Sequence, residues 1–494
     1  MLYKLYKNNF KVFTEYFIIF FLSLHIFFWD TFQFINYKIN FFGINLLNFK
    51  TTIIIIFCYY LLNNYKFFLT KNKNLILIFG LLLLHLFLNF DHNFFIYKKL
   101  SSFFLIFSIF IVCNNYYNFI LKSLEKIIFL FLIIISIVLV HDFFDNNFLN
   151  NLKNRDINFY LLFSENSHFS IMVIPVIFFL IFNKRGQFSF LSILGLIIAF
   201  IAFFLFYSTS LIFGLLLILL FTFVFYFNEV IKRIYIIALL IIVCILSLHF
   251  SKYFNINERH VFNDTKITFF KETFFKLKKT LDLKTLVKLK DYSYVPSEYI
   301  YDKKCNQPIT INNYSNKWKN QNQNIGIFFE ANSICLPLIK KKFDLIPNEN
   351  IDLSVEVFIN AGKVSFFAVK DKFYGYGLNN YESAFAKQMI SKVVPNHFKE
   401  IYYLNYNDAS SNFWKLICEF GIFSIFFLFI LLKFAMSENI SVGDKLFFVS
   451  IILMQFLRGT GYSNGGFAFS FAIMFAHLFY NTSALLTFSK KKLK

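Results

Sequence analysis

The sequence predicts an all-α polytopic membrane protein with about twelve transmembrane helices and one large extracytoplasmic loop domain that contains some β structure. Hydrophobic residues make up 57% of the 494 residues and aromatic residues 22%, a composition outside the range of soluble globular chains. Apolar runs of about 20 residues, the length that crosses a bilayer, recur along the chain. Only one long interval, 251–412, lacks such runs.

The apolar runs predict where the chain crosses the bilayer. No small-residue cleavage site follows the first run, so we expect that span to be retained rather than removed as a signal peptide. The predicted spans are 12–29, 46–62, 74–90, 99–115, 125–144, 166–182, 187–207, 209–227, 232–249, 413–432, 444–457 and 467–481. The predicted domains are therefore 1–250, 251–412 and 413–494.

Positive charge predicts the orientation of the spans. An even number of spans places both termini on one side, and the short loops there hold more than twice as many lysines and arginines as the short loops opposite. Cytoplasmic loops carry this excess in membrane proteins, whereas long loops are translocated regardless of charge. We therefore expect cytoplasmic termini and an exterior loop at 251–412.

The exterior loop divides into two patterns. Residues 258–292 predict an amphipathic helix that lies either on the membrane surface or on the core of the loop. Residues 293–370 include the alternating stretch IDLSVEVFINAGKVSFFAVK (351–370), which predicts a small strand-rich insert. Cys305 and Cys335 lie in this insert and can form a disulfide in an oxidising compartment, although their spacing does not fix the pairing.

Two function classes are disfavoured by the sequence. The net charge of +21 does not indicate a nucleic-acid partner, because the basic residues fall in short loops between apolar spans. His260 and His397 are isolated, and neither CxxC nor HxxxH spacing occurs. We expect no metal and no cofactor.

Arginine is scarce in this chain and its positions are informative. Of five arginines, Arg155, Arg259 and Arg458 fall near predicted membrane boundaries on the exterior side. A guanidinium binds phosphate oxygens bidentately, whereas lysine acts as a point charge. The alternative is chance placement combined with contacts to lipid headgroups.

Two glycine clusters and one polar stripe provide further candidates. Gly375 and Gly377 form GYG near the end of the exterior loop, and RGTGYSNGG (458–466) follows the eleventh span, so both backbones can approach a ligand closely. The stripe places four polar residues on one face of the helix that opens the tenth span. Either an ion pair anchors this helix entry, or a carboxylate of the stripe belongs to a site. The stripe consists of Asp408, Asn412, Lys415 and Glu419.

These segments, in this order, resemble the O-antigen polymerase and O-antigen ligase superfamily of bacterial envelope glycosyltransferases. LLFSENSHFSI (161–171) is similar to a Glu-Pro-Ser type segment of the polymerases, with Asn166 at the usual proline, and FYSTSLIFGLLL (206–217) is similar to their serine-rich junction. GYGLNNYES (375–383) with SNFWKLICEFGIF (411–423) resembles a glycine pair and an Asn to Glu-x-Gly signature. RGTGYSNGG resembles a polymerase segment before the last span.

One departure from the family bears on the activity. The ligases usually have histidine directly before the asparagine of that signature, and Ser411 stands there in this chain. The resemblance therefore favours a polymerase of the bacterial inner membrane with a periplasmic loop. An O-antigen ligase or oligosaccharyltransferase is the alternative, followed by a lipid-linked sugar flippase or transporter.

The resemblance implies a metal-independent transfer from a polyprenyl-pyrophosphate-linked oligosaccharide. It implies a general base or acceptor clamp at Glu165, oriented by His168, with Asp408 as the second candidate. A capping and ion-pair cluster that only anchors the helix end is the competing interpretation of Glu165 and His168. The implied pyrophosphate and glycan contacts are Arg155, Arg259, Arg458, Gly375, Gly377, Asn412, Glu419 and Tyr462. It leaves open whether the 293–370 insert binds glycan or a chain-length regulator protein.

Overall fold

The protein is helical throughout the part of the chain that the structure, a computed structural model, describes. The described residues are 16, 26–27, 72–89, 96–144, 166–183, 189–253, 353–381, 383–385, 409–459, 461–462 and 466–478. No strand occurs among them. Of the predicted spans, 46–62 lies outside the described residues, and 12–29 is described only at Tyr16, Ile26 and Phe27.

The helices follow the predicted apolar runs closely where the chain is described. They are α1 (Lys73–Leu88), α2 (Ile96–Phe143), α3 (Asn166–Phe182), α4 (Phe190–Leu205), α5 (Thr209–Phe225), α6 (Phe227–Lys232), α7 (Ile234–Tyr253), α8 (Leu353–Asp371), α9 (Asn412–Phe420), α10 (Ser424–Ala435), α11 (Val442–Leu457) and α12 (Phe467–Leu478). A kink at Tyr116 divides α2, and a 3₁₀ turn, Gly421–Phe423, joins α9 to α10.

Within the described part of the chain, three helical stretches are long and apolar enough to cross a membrane: Ser102–Phe143, Ile234–Ser251 and Asn412–Ala435. Five further apolar helices among the described residues are shorter. The structure therefore gives a helical protein with three candidate membrane spans, and the layout of about twelve spans stays a prediction.

Serine residues set the starts of several helices. Ser189, Ser208, Ser411 and Ser441 each adopt an extended backbone conformation and accept a hydrogen bond from the amide three residues later. This interaction satisfies one of the amides that a helix start leaves without an intrahelical partner. The Ser441 hydroxyl also donates to the Asp444 carboxylate at 2.6 Å. Local sequence therefore fixes where α4, α5, α9 and α11 begin.

The predicted strand-rich character of 351–370 is wrong. This stretch forms helix α8, which packs against α9. Its buried residues Ala361, Val364, Ser365 and Ala368 recur with helical spacing, and burial of this face outweighs the alternating β-branched residues that suggested a strand. The rest of the predicted insert, with Cys305 and Cys335, lies outside the described residues.

The chain divides into two compact units. Unit 1 comprises Met1–Val261 and Ile425–Lys494, and unit 2 comprises Phe262–Ser424. Unit 2 covers most of the interval for which the sequence predicts a loop domain, 251–412. In unit 1, α3 is buried from Phe169 onwards and packs against α4, α5 and α11. In the described residues of unit 2, α8 packs against α9.

Candidate functional site

The predicted site residues fall into three groups. Arg155, Glu165, Arg259 and Asp408 lie outside the described residues. His168, Arg458 and Tyr462 belong to unit 1, and Gly375, Gly377, Asn412 and Glu419 belong to unit 2.

In unit 1, helices α3 and α11 run antiparallel in close contact. Gly443, in the first turn of α11, lies against the residue that follows α3: a Cβ built on Gly443 would be 2.7 Å from Cα of Asn183. The start of α11 therefore meets the end of α3. As a result, Arg458, which directly follows α11, lies at the end of the pair where α3 begins at Asn166, two residues before His168.

Helix α5 begins at the same end. The Ser170 and Ser208 hydroxyl oxygens are 2.6 Å apart and share a hydrogen bond between the first turn of α3 and the N-cap of α5. The Phe169 and Phe206 rings pack edge to face with centroids 5.0 Å apart. The serine contact therefore joins α3 to the start of α5.

A third contact aligns α5 with α11. A Cβ built on Gly214 of α5 would lie 2.7 Å from the Cε atom of Met454, one turn before the end of α11. The starts of α3 and α5 and the end of α11 therefore lie at the same end of this group of three helices. We call this place the arginine end, defined by His168, Ser170, Ser208 and Arg458.

The arginine end combines partial and formal positive charge. Two helices begin there, and a helix start carries a partial positive charge, while the Ser208 hydroxyl already accepts the Leu211 amide of α5; Arg458 adds a formal positive charge. His168 and Arg458 are half-buried, whereas Ser170 is fully buried. Tyr462 follows Arg458 and is buried, with its ring stacked on Phe467 at the start of α12.

In unit 2, Glu419 is a fully buried carboxylate held by backbone amides. Its Oε2 atom accepts a hydrogen bond from the Asn379 amide at 2.9 Å, and its Oε1 atom accepts one from the Tyr381 amide at 3.3 Å. Asn412, Lys415 and Glu419 are all buried. The predicted polar stripe of α9 therefore faces protein along these three residues.

Residues 373–381, which we call the glycine turn, pack on the break between α9 and α10. The Tyr376 and Gly377 amides donate to the carbonyl oxygens of Cys418 and Glu419 at 3.0 and 2.7 Å, and the Ile422 amide donates to the Phe373 carbonyl at 3.0 Å. These three bonds join the turn to both sides of the helix break.

Glycine is required in this contact for steric and conformational reasons. Gly375 and Gly421 have φ values of +85° and +54°, in the region that favours glycine. A Cβ on Gly375 would lie 2.6 Å from the Gly421 nitrogen, and even closer to the carbonyl oxygen of Glu419. The Gly375 and Gly377 amides both donate within the protein, so these glycines position Glu419; direct contact between them and a substrate stays a prediction.

Backbone strain is concentrated in the same part of unit 2. Among the described residues, the non-glycine residues with positive φ are Asn379, Ala409 and Ser410. Such conformations cost about 1–2 kcal/mol each and occur preferentially at functional sites. Asn379 donates to Glu419, and the other two precede the N-cap Ser411 of α9.

The described residues contain no group of three histidine, cysteine, aspartate or glutamate side chains that could hold a metal ion. The sequence predicts His168 and Arg458 as site residues but does not reveal the Ser170 to Ser208 contact, which joins α3 to the N-cap of α5. Segments 161–171 and 206–217 each contain one of these serines, but only the fold shows that the two serines contact each other. Comparison of the chain with protein-family models, with curated proteins and with solved structures gave no match.

Proposed function

We propose that the protein is a membrane glycosyltransferase that polymerises polyprenyl-pyrophosphate-linked oligosaccharide repeat units into a surface polysaccharide such as O-antigen. The observation that carries the proposal is the arginine end of unit 1, the end at which α3 and α5 begin and Arg458 follows α11. A diphosphate is the substrate group that such a collection of positive charge suits. The proposed location is the periplasmic face of a bacterial inner membrane, with both termini in the cytoplasm.

The proposed reaction exchanges one bond at an anomeric carbon. A sugar hydroxyl of the incoming repeat unit attacks that carbon, the bond to the pyrophosphate oxygen breaks, and the hydroxyl proton passes to a base. Arg458, together with Arg155 and Arg259 from outside the described residues, stabilises the negative charge that develops on the pyrophosphate. Glu165 oriented by His168 is the proposed base, and Asp408 is the second candidate.

A ligase or oligosaccharyltransferase would use the same donor and the same arginines, and would differ in its acceptor. The structure contains a specific observation in favour of a transporter. The candidate span Asn412–Ala435 is interrupted at Gly421, between α9 and α10. Glu419 is buried beside this interruption. Discontinuous helices and buried charges inside a membrane are typical of transport sites.

Reconstituted protein separates these functions. Purified protein in liposomes receives a polyprenyl-pyrophosphate-linked repeat unit, and products are analysed by gel for chain lengthening. A polymerase gives a ladder of longer lipid-linked chains. Transfer only to an added core acceptor indicates a ligase, and movement of the unchanged lipid-linked sugar across the bilayer indicates a transporter. Either of the last two outcomes contradicts the proposed polymerase.

The Arg458→Lys variant tests the proposed anion site directly. Replacing a bidentate guanidinium by a point charge removes about 1.5–3 kcal/mol of interaction, or about 10- to 150-fold in polymerisation rate. Arg185→Lys is the matched control, because the sequence places Arg185 in a loop on the opposite side of the membrane. Equal activity of both variants at matched abundance would remove the role of the guanidinium.

A deletion strain provides the cellular test. Lipopolysaccharide that carries a single repeat unit indicates loss of a polymerase, whereas accumulated lipid-linked polymer indicates loss of a ligase. Loss of all surface glycan together with inward-facing intermediates would instead support the flippase.

A further inference from the structure

Asn379 occupies the third position of a tight turn within the glycine turn of unit 2. The Asn380 amide donates to the Gly377 carbonyl at 3.1 Å and closes this tight turn. Asn379 has a φ of +56°, which glycine adopts without strain and asparagine adopts more readily than most other residues. The other two positions of the glycine turn with positive φ are Gly375 and Gly377. Position 379 therefore keeps a side chain where glycine would suit the backbone at least as well.

A buried carboxylate holds the backbone of Asn379. Glu419 is fully buried, and its two oxygens accept the Asn379 amide at 2.9 Å and the Tyr381 amide at 3.3 Å. Hydrogen bonds to an ionised group are roughly twice as strong as bonds between neutral groups, and a buried carboxylate is costly unless such bonds satisfy it. Tyr381 also packs in a buried cluster with Tyr376 and Ala409. The backbone at position 379 is therefore fixed by both polar and apolar contacts.

The side chains of the two adjacent asparagines serve different purposes. Asn380 is buried, and its Nδ2 atom donates to the Tyr376 carbonyl at 2.6 Å. Asn379 is partly exposed, and within the described part of the chain its carboxamide forms no hydrogen bond. A carboxamide offers two donor hydrogens and an acceptor oxygen. The fold thus uses the backbone of Asn379 and leaves its side chain available to a ligand.

We propose that the Asn379 carboxamide contacts the glycan of the substrate and hydrogen-bonds a sugar hydroxyl of the repeat unit, an inference that rests on the proposed function. A hydroxyl both donates and accepts, so a carboxamide can match it with an amide hydrogen and an oxygen. A side chain on a fixed backbone has less freedom to lose on binding, which favours contacts from such positions. Positive φ, which Asn379 shares with Ala409 of the buried cluster, is typical of functional sites in non-glycine residues.

Asn379→Gly separates a ligand contact from a role in the turn. Glycine fits a φ of +56° and removes the carboxamide, so the denaturation midpoint should not fall. Full-length protein in nanodiscs receives either the polyprenyl-pyrophosphate-linked repeat unit extracted from the deletion strain or polyprenyl pyrophosphate without sugar, and the dissociation constant of each lipid is measured. Asn439→Gly, which removes an exposed asparagine side chain between α10 and α11, is the control.

We expect Asn379→Gly to weaken binding of the glycan-bearing lipid by about 3- to 10-fold, the loss of one hydrogen bond between neutral groups. Binding of polyprenyl pyrophosphate should stay unchanged, as should both dissociation constants of Asn439→Gly. Unchanged binding of both lipids by Asn379→Gly, or equal weakening of both, would overturn the sugar contact. If Asn379→Gly fails to fold, Asn379→Asp is the second variant: aspartate also tolerates positive φ but cannot donate when ionised, so it should weaken binding of the same lipid.

The outcomes for the sugar contact and for the proposed polymerase are distinguishable. If the parent protein binds the glycan-bearing lipid but forms no ladder in liposomes, the polymerase is contradicted, and the binding ratio of Asn379→Gly still decides the contact. If the parent forms a ladder and Asn379→Gly binds and elongates equally well, the contact is refuted and the polymerase stands. A parent protein that binds the glycan-bearing lipid no more tightly than polyprenyl pyrophosphate also contradicts the contact.

Discussion

Replacing Gly375 by alanine should loosen the glycine turn from the helix break, and Gly461 provides an unusually close control. The two glycines have nearly the same φ, +85° and +86°. Among the described residues, no heavy atom lies within 4 Å of a Cβ built on Gly461, whereas a Cβ on Gly375 would lie 2.6 Å from the Gly421 nitrogen. The pair therefore separates the cost of the backbone conformation from the cost of the collision.

The magnitudes follow from these two contributions. Gly461→Ala should cost about 1–2 kcal/mol, because alanine is strained in the left-handed region. Gly375→Ala should add about 1–3 kcal/mol for forcing backbone apart, which gives about 2–5 kcal/mol in total. In hydrogen exchange, 1.4 kcal/mol corresponds to about tenfold in local opening, so the lower bound alone predicts about a 30-fold loss of protection.

The assay is hydrogen exchange by mass spectrometry on the detergent-solubilised or liposome-bound protein, read in peptides that cover residues 373–385. Gly375→Ala should reduce protection at the Tyr376, Gly377 and Tyr381 amides, because these donate across the contact. Gly461→Ala should leave the same peptides unchanged. Unchanged protection in Gly375→Ala would refute the steric argument and the contact on which it depends.

Three further predictions concern unit 1. Gly443→Ala should lower the free energy of unfolding by about 1–3 kcal/mol, since its Cβ would meet the backbone of Asn183. Gly80→Ala, where no atom of the described residues lies within 4 Å of the added Cβ, should be neutral or stabilising; denaturation midpoints measure both. Lys445→Met should cost about 1–3 kcal/mol, because the ammonium donates to the Ser437 carbonyl at 2.7 Å; exposed Lys433→Met is the control, and equal midpoints would contradict this role. Hydrogen bonds from Lys232 and Arg233 lower the pKa of the Glu229 carboxyl. The stabilising contribution of this carboxylate should therefore be present above the ordinary glutamate pKa and disappear as the pH falls through the lowered value. Glu229→Gln should flatten this part of the pH dependence of the denaturation midpoint, and an unaltered profile would refute the role of Glu229.

Sequence alone predicts the positions of most described helices because apolar length and serine caps are local properties. The predicted span 209–227 corresponds to α5, Thr209–Phe225, which Ser208 caps. The prediction for 413–432 was less complete, since the helix breaks at Gly421. Hydropathy does not reveal that Gly421 has a backbone φ of +54°. The local indication of a helix break in the sequence is the glycine of Glu-Phe-Gly (419–421).

The candidate site depended more strongly on tertiary contacts. Composition and spacing identified Arg458, His168 and Glu419 as chemically unusual, but could not pair Ser170 with Ser208, which lie 38 positions apart. The same limitation applies to Glu419, whose partners are backbone amides and therefore carry no side-chain signature in the sequence. Residue identity reveals a group that needs a partner, and only packing reveals which partner it has.

The order of the glycine turn and the broken helix along the chain has a consequence for biogenesis. The carbonyls of Cys418 and Glu419 are satisfied by amides from residues 376 and 377, which the ribosome has already made when α9 emerges. The donor segment therefore exists before its acceptors. The glycine turn can complete these two bonds only after about 40 further residues have been synthesised, so docking of the turn is tied to the formation of α9.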